Sequence, residues 1–149
     1  MRHFMAWFSL IVLVIGAMAQ DNTTAVQTVL EQYAQAVREK NLAAIEAVVY
    51  TSNHFTVFEG GHVNNGWKEY RDTHLAPELK MFRAVDYRFS NVQVTADNRL
   101  AVATLNYSIA VELKDRKIAA SGVGTFVLVQ TGSGWKIRHI HTTRKPQKH

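Results

Sequence analysis

Residues 100–113 read LAVATLNYSIAVEL, and the main sheet of the fold can be predicted from this segment. Every second residue from Ala101 to Leu113 is apolar, so an extended chain would carry one continuous hydrophobic face. Such alternation indicates a β-strand with one face in a protein core. A strand of this length exceeds the usual range of roughly 3–10 residues, and long strands twist and curl.

The strand pattern extends toward the N-terminus. Val85, Tyr87 and Phe89 alternate, and Val92 and Val94 continue out of phase, which predicts a β-bulge near residues 90–91.

Two further strands are predicted toward the C-terminus. Gly122 and Gly124 lie within the first of them, where a strand can bend or allow a close approach. The last strand is expected to direct four alternate residues inward, namely Trp135, Ile137, His139 and His141. Short turns near residues 97–98, 115–116 and 132–134 suit antiparallel hairpins. With this phase, the outer face of the sheet would carry Val102, Phe126, Leu128 and Ile140.

The first half of the chain has helical periodicity. Apolar residues spaced by three and four predict one helix over residues 22–40, a second capped by Asn41 and a third from about residue 66 to 82. Pro77 would kink or restart the third helix. A short β-like run, residues 54–59, precedes Gly60 and Gly61. The predicted fold is therefore α+β: a cone-shaped, curved antiparallel sheet with three N-terminal helices packed in its concave face.

Residues 1–19 resemble a secretory signal peptide. A basic Arg2 precedes an apolar run that ends in Ala17-Met18-Ala19, a small-x-small cleavage pattern. The alternative, an uncleaved membrane anchor, normally needs roughly 20 apolar residues, which is longer than this run. We therefore expect one domain, residues 20–149, in a secreted or periplasmic protein without a membrane anchor after cleavage.

Composition excludes several classes of function. The 149 residues contain no cysteine, so disulfides, thiolate metal sites and cysteine nucleophiles are excluded. The net charge is +5, but the 17 basic residues are scattered rather than clustered as in a nucleic-acid-binding surface. No nucleic-acid partner and no cofactor are predicted.

Three motifs carry a family resemblance. They are residues 33–45 (YAQAVREKNLAAI), residues 58–61 (FEGG) leading to Gly66-Trp67, and residues 134–144 (GWKIRHIHTTR). In their order, the chain resembles the nuclear transport factor 2-like superfamily and, within it, the SnoaL-like branch. The superfamily includes isomerases, cyclases, dehydratases, binding proteins and assembly domains, so the resemblance implies a fold and a homodimer packed through the sheet rather than one reaction.

The resemblance also implies roles for two residues. In the related ketosteroid isomerases, a tyrosine on the first helix donates to an oxyanion and a carboxylate after the second helix shuttles the proton, and Tyr33 and Glu59 occupy similar positions. The third isomerase group, an acid on the later strands, has no match in residues 124–129. Tyr33 also fits a core aromatic residue, and Glu59 also fits a solvated turn carboxylate.

Histidines form a second set of candidates. His139 and His141 would face the same side of a strand, and His74 on the third helix could meet them and Glu59 inside the cone. Such a set would suit zinc, but no compact metal-binding signature is present, and a polar pocket wall or packing histidines remain open. No metal is predicted.

Three functions are therefore carried forward. The first is an exported domain that binds a small apolar or carbonyl-bearing ligand, with candidate binding residues Phe58, Trp67, Tyr70, His139 and His141. The second is an enzyme resembling a ketosteroid isomerase, a cyclase or a dehydratase, with Glu59 or His74 as the base and Tyr33 as the donor. The third is a non-enzymatic dimeric assembly domain.

Overall fold

The computed structural model describes the backbone of residues 5–146 and the side chains of residues 21–146. The helices are α1 (Met5–Arg38), α2 (Leu42–Val48), α3 (Trp67–Tyr70) and α4 (Ala76–Met81). The strands are β1 (Thr56–Glu59), β2 (His62–Asn65), β3 (Ala84–Ala96), β4 (Leu100–Glu112), β5 (Lys117–Thr131) and β6 (Gly134–Arg144). They form one sheet in the order β2-β1-β6-β5-β4-β3, antiparallel except between β1 and β6. The curved, unclosed sheet with helices against one face confirms the predicted α+β cone.

A two-strand hairpin forms one edge of the sheet. The sequence pattern predicts β1 but misses β2, because β2 has only four residues and no apolar alternation. Gly60 and Gly61 join the two strands with positive φ values of 57° and 88°, which glycine adopts without steric cost and which tight hairpins favour. The parallel pairing of β1 with β6 places Glu59 beside Thr142.

The third predicted helix is divided into three parts. Between α3 and α4 lies a π-helical turn, Arg71–Leu75, and Pro77 lies in the first turn of α4, where a missing amide donor is tolerated. The predicted cap of the second helix is confirmed, because the Asn41 side chain accepts a hydrogen bond from the Ala44 amide.

The bulge predicted in β3 is confirmed. The register with β4 shifts between Ser90 and Gln93, and Asn91 has a φ of 51°. Because of this extra residue, Val92 and Val94 pack on the same side as Tyr87 and Phe89.

A second bulge, in β6, reverses the predicted phase of that strand. Ile137 pairs with Leu128, but His139 pairs with Val127, so Arg138 is an extra residue. Beyond it, Ile140 and Thr142 are buried under the helices, while His139 and His141 lie on the outer face. The prediction that these two histidines face into the cone is therefore wrong, since a one-residue insertion turns every following side chain to the other face.

The predicted outer face needs a related correction. Phe126 pairs with Ala103 in the register, and both are fully buried in the core rather than on the outer face. Leu128 and Ile140 are buried with them, whereas Val102 is exposed as predicted. The large apolar residues on the exposed face are Phe58, Val63, Leu100, Val102 and Val123, which we call the outer patch.

At Gly122 the close neighbour of the strand is the ring of Tyr107. A Cβ atom there would lie 2.5 Å from Tyr107 Cε1 and would also collide with the Thr143 carbonyl oxygen. The Tyr107 ring therefore lies across β5 only because position 122 has no side chain.

The predicted signal segment, residues 1–19, lies outside the residues whose side chains are described. Within the described residues, no helix combines the length and the apolar character needed to cross a membrane.

Candidate functional site

Two tyrosines meet inside the cone. Tyr33 comes from α1 and Tyr70 from α3, and both rings are buried. Burial raises the pKa of Tyr33 far above its usual range, and a hydrogen bond from the Tyr70 hydroxyl partly opposes that rise. Burial likewise raises the pKa of Tyr70, so both phenols stay protonated at neutral pH. We call these two residues the tyrosine pair.

Aromatic rings surround the tyrosine pair. Tyr33 meets the edge of Phe126 at 6.1 Å between ring centroids and that of Tyr87 at 6.5 Å. Phe89 in turn lies 5.2 Å from Phe126. The tyrosine pair is therefore buried among apolar rings, an environment in which hydrogen bonds are stronger than in water.

Three ionisable side chains meet beside the pair. His74 Nε2 lies 3.4 Å from Glu78 Oε1 and 3.8 Å from Glu59 Oε2. We call His74, Glu59 and Glu78 the acidic cluster. Partial burial raises the pKa of Glu78, and the charge of Glu59 adds to this effect while His74 opposes it.

Asn64 fixes the orientation of the His74 ring. Its Nδ2 donates to Glu69 Oε1 at 3.2 Å, so its Oδ1 faces His74 Nδ1 at 3.0 Å. A carbonyl oxygen only accepts, so Nδ1 carries the proton and Nε2 faces the two carboxylates.

The tyrosine pair and the acidic cluster form one site. The rings of Tyr70 and His74 have centroids 5.2 Å apart. The charge of Glu59 also contributes to the raised pKa values of Tyr33, Tyr70 and Tyr87, after burial. Four of the predicted site residues are thus brought together: Tyr33, Glu59, Tyr70 and His74.

Trp67 lies in the core next to this site. It is buried, its ring meets Phe55 at 5.4 Å, and its Nε1 donates to Glu46 Oε1 at 2.8 Å. Arg71 binds the same carboxylate at 3.3 Å, which ties α3 to α2. Trp67 supports Tyr70, whose ring centroid is 6.1 Å from its own, through packing.

Three predicted binding residues lie elsewhere. Phe58 contacts His139 and His141 at centroid distances of 5.1 and 6.0 Å, on the outer face of the sheet. The Thr56 hydroxyl also bonds His139 Nδ1 at 2.7 Å. Partial burial, with the neighbouring His141, lowers the pKa of His139. These residues are separated from the tyrosine pair by the sheet itself.

The sequence patterns did not predict three residues near this site, and only Glu78 has a signal in the sequence. Glu78 follows His74 by four residues, a helical spacing that Pro77 obscures. Asn64 lies on the unpredicted strand β2, and Thr142 is turned inward by the unpredicted bulge.

Among the described residues, no group of three or more His, Asp or Glu side chains is arranged to hold a metal ion.

Comparison with known proteins gives one family and many similar folds. A family model described as SnoaL-like domain matches residues 26–143. A nuclear transport factor 2-like superfamily protein from Salmonella enterica serovar Typhimurium has a similar structure, with a TM-score of 0.80, 13% identity and coverage of 87% of this chain and 95% of that one. No curated protein has a matching sequence.

Two further structures have names that mention a reaction. A candidate dehydratase from Streptomyces avermitilis has a TM-score of 0.77 and 15% identity, with 87% of this chain and 99% of that one covered. A candidate ketosteroid isomerase from Shewanella frigidimarina has a TM-score of 0.68 and 24% identity, with 80% and 94% covered. At these identities the similarity is one of fold.

Proposed function

The chain belongs to the SnoaL-like domain family of the nuclear transport factor 2-like superfamily, and from this premise we propose that it binds a small, largely apolar molecule with a carbonyl or hydroxyl group inside the cone. The observation that carries the proposal is the hydroxyl of Tyr33. Tyr33 and Tyr70 are buried, and burial raises the pKa of both phenols, so each stays protonated and can donate a hydrogen bond to a ligand. An apolar pocket with a few well-placed polar groups is the usual form of a small-molecule site.

Carbonyl compounds match this donor. A phenol that stays protonated can donate to a carbonyl oxygen, and the rings of Phe126 and Tyr87 supply apolar contacts for the rest of the molecule. The adjacent carboxylates of Glu59 and Glu78 disfavour anionic ligands, so a neutral molecule is expected.

The test compares a ketone with its parent hydrocarbon. In titration calorimetry, the wild-type protein should bind 2-acetylnaphthalene more tightly than naphthalene. Tyr33→Phe should weaken binding of the ketone about tenfold, the effect of one lost hydrogen bond, and leave naphthalene unchanged. Tyr50→Phe, outside the site, is the matched control. Failure of the wild type to bind either compound would contradict the proposal.

A second candidate function, proton transfer next to a carbonyl, is favoured by the acidic cluster. His74 Nε2 and the carboxylates of Glu59 and Glu78 share one small region, so a proton can move among them. With Tyr33 as the donor to an enolate oxygen, Glu59 or His74 would be the base of an isomerase, cyclase or dehydratase. Deuterium exchange at an activated ketone would detect this chemistry.

Export is proposed from residues 1–19. If they direct secretion, cleavage after Ala19 leaves a mature protein that begins at Gln20. The intact mass of the protein recovered from the periplasm or the culture medium should fit residues 20–149. Recovery of the uncleaved chain from the cytoplasm would refute it.

We also propose a homodimer formed through the outer patch. The central part of this face, on β4 and β5, carries uncharged residues from Leu100 to Ser108 and from Ser121 to Val129. An uncharged face suits a two-fold interface, because each side chain near the axis meets its own copy. The same interface would serve a non-enzymatic assembly domain, in which the cone would bind no ligand.

A further inference from the structure

Thr142 carries an unusual hydroxyl group. The residue is 6% exposed, and its Oγ1 is buried without a hydrogen-bond partner among the described residues. No other buried side-chain nitrogen or oxygen in that part of the chain lacks a partner. Since buried hydroxyl groups nearly always have a partner, this one calls for an explanation.

The position of Thr142 in the sheet suggests an explanation for this hydroxyl group. In the sheet register, Thr142 lies between Glu59 on β1 and Gly124 on β5, on the face that the helices cover. Gly124 has no side chain, so Leu105 and Phe126 approach to 3.3 Å of the place where its Cβ would lie. Thr142 is thus a polar group in an apolar floor, next to the carboxylate of the acidic cluster.

We propose that Thr142 and Glu59 form a subsite for a hydroxyl group of the ligand. A ligand hydroxyl can donate to the Glu59 carboxylate and accept from Thr142 Oγ1, which satisfies all three groups. A carbonyl oxygen could use only Thr142, because it has no proton for Glu59. The inference rests on the proposed function and narrows its ligand class to neutral ring compounds that carry a hydroxyl.

An apolar residue would suit this position better in the absence of a ligand. Valine has nearly the shape of threonine and favours strands, and it would remove a buried hydroxyl without a partner. Thr142→Val should therefore raise the melting temperature of the ligand-free protein by about 2–4 °C. A decrease would show that the hydroxyl is bonded within the protein, and it would overturn the subsite.

Ligand binding provides a second test of the subsite. The wild type should bind 2-naphthol about tenfold more tightly than naphthalene, as expected for hydrogen bonds to a charged group. Thr142→Val should lose most of this difference and Thr142→Ser should keep it. Thr125→Val, at a half-buried threonine on the opposite face of the sheet, should behave like the wild type.

The outcomes separate the subsite from the proposed function. If the wild type binds 2-naphthol and Thr142→Val binds it equally well, the subsite is refuted and the binding function stands. If the wild type binds neither 2-naphthol, naphthalene nor 2-acetylnaphthalene, the binding function is refuted and the subsite with it.

Discussion

Glu59 has a different role in each of the two candidate functions, and only in proton transfer would it act as a base. Its side chain is 49% exposed, at the end of β1, and it faces His74 across 3.8 Å. Solvent access allows it to exchange a proton with water, while its charge acts on the buried tyrosines. In the proposed proton transfer, this carboxylate would accept a carbon-bound proton from a ligand whose carbonyl is held by a donor, and Tyr33 would be that donor.

Proton transfer should therefore depend on the Glu59 carboxylate. With 2-tetralone in deuterium oxide, NMR should show that the wild type accelerates exchange at the carbon next to the carbonyl. Glu59→Gln keeps the size of the side chain but removes its basicity, so the rate should fall about 100-fold or more. Glu112→Gln, at the far end of β4, is the control. Equal rates for wild type and Glu59→Gln would remove Glu59 from the mechanism.

At the scale of elements, the periodicity of the sequence predicts the long strands well. It predicts the bulge in β3 but not the bulge in β6. The β3 bulge is visible because large apolar residues stand on both sides of it, from Val85 to Val94. The β6 bulge is hidden, because His139 and His141 continue the alternation of Trp135 and Ile137 and suit either face of a sheet. Only the pairing with β5 determines the phase beyond Arg138, and tertiary pairing of this kind leaves no local signal.

The bulge in β6 also explains why the sequence did not predict Thr142 as a residue of the site. Tyr33, Glu59, Tyr70 and His74 were found because they lie on elements with clear periodicity or in a recognisable turn. Thr142 was not found, because its inward direction depends on the hidden bulge.

The π-helical turn between α3 and α4 positions His74, a candidate base. A π turn contains one more residue than an α turn, and it lies between Tyr70 and Ala76, where it includes His74. Asp72 links this turn to α3, since its carboxylate binds Arg71 Nε and Lys68 Nζ, each at 2.7 Å. Hydrogen bonds from these two cations lower the pKa of Asp72 from 3.8 to about 2.

The stability of the protein should therefore depend on Asp72 in acid. Because folding lowers this pKa, the ionised carboxylate contributes stability above about pH 4, and the contribution disappears as the pH falls toward 2. In urea unfolding, Asp72→Asn should have a lower midpoint than the wild type at pH 6, and the difference should vanish near pH 2. Asp115→Asn, whose carboxylate has no ion pair among the described residues, is the control. A difference that stays constant from pH 6 to pH 2 would contradict this role.

At the scale of the whole molecule, the two faces of the sheet carry different sets of residues. The inner face carries the tyrosine pair and the core, so a substitution such as Phe126→Lys would disrupt folding and could not report on assembly. The outer face carries Phe58, His139 and His141 together with the exposed apolar residues. Exposed apolar residues on this face support the proposed dimer interface.

A charge in the outer patch should separate the dimer without unfolding the chain. Light scattering at micromolar concentration should give twice the monomer mass for the wild type. Val102→Lys should give the monomer mass with an unchanged circular dichroism spectrum, because Val102 is 38% exposed in one chain and two lysines would meet across the two-fold axis. Met81→Lys is the control, since Met81 is 61% exposed but lies on α4, away from the sheet. A wild-type monomer would refute the dimer, and a dimer that survives Val102→Lys would place its interface on another surface.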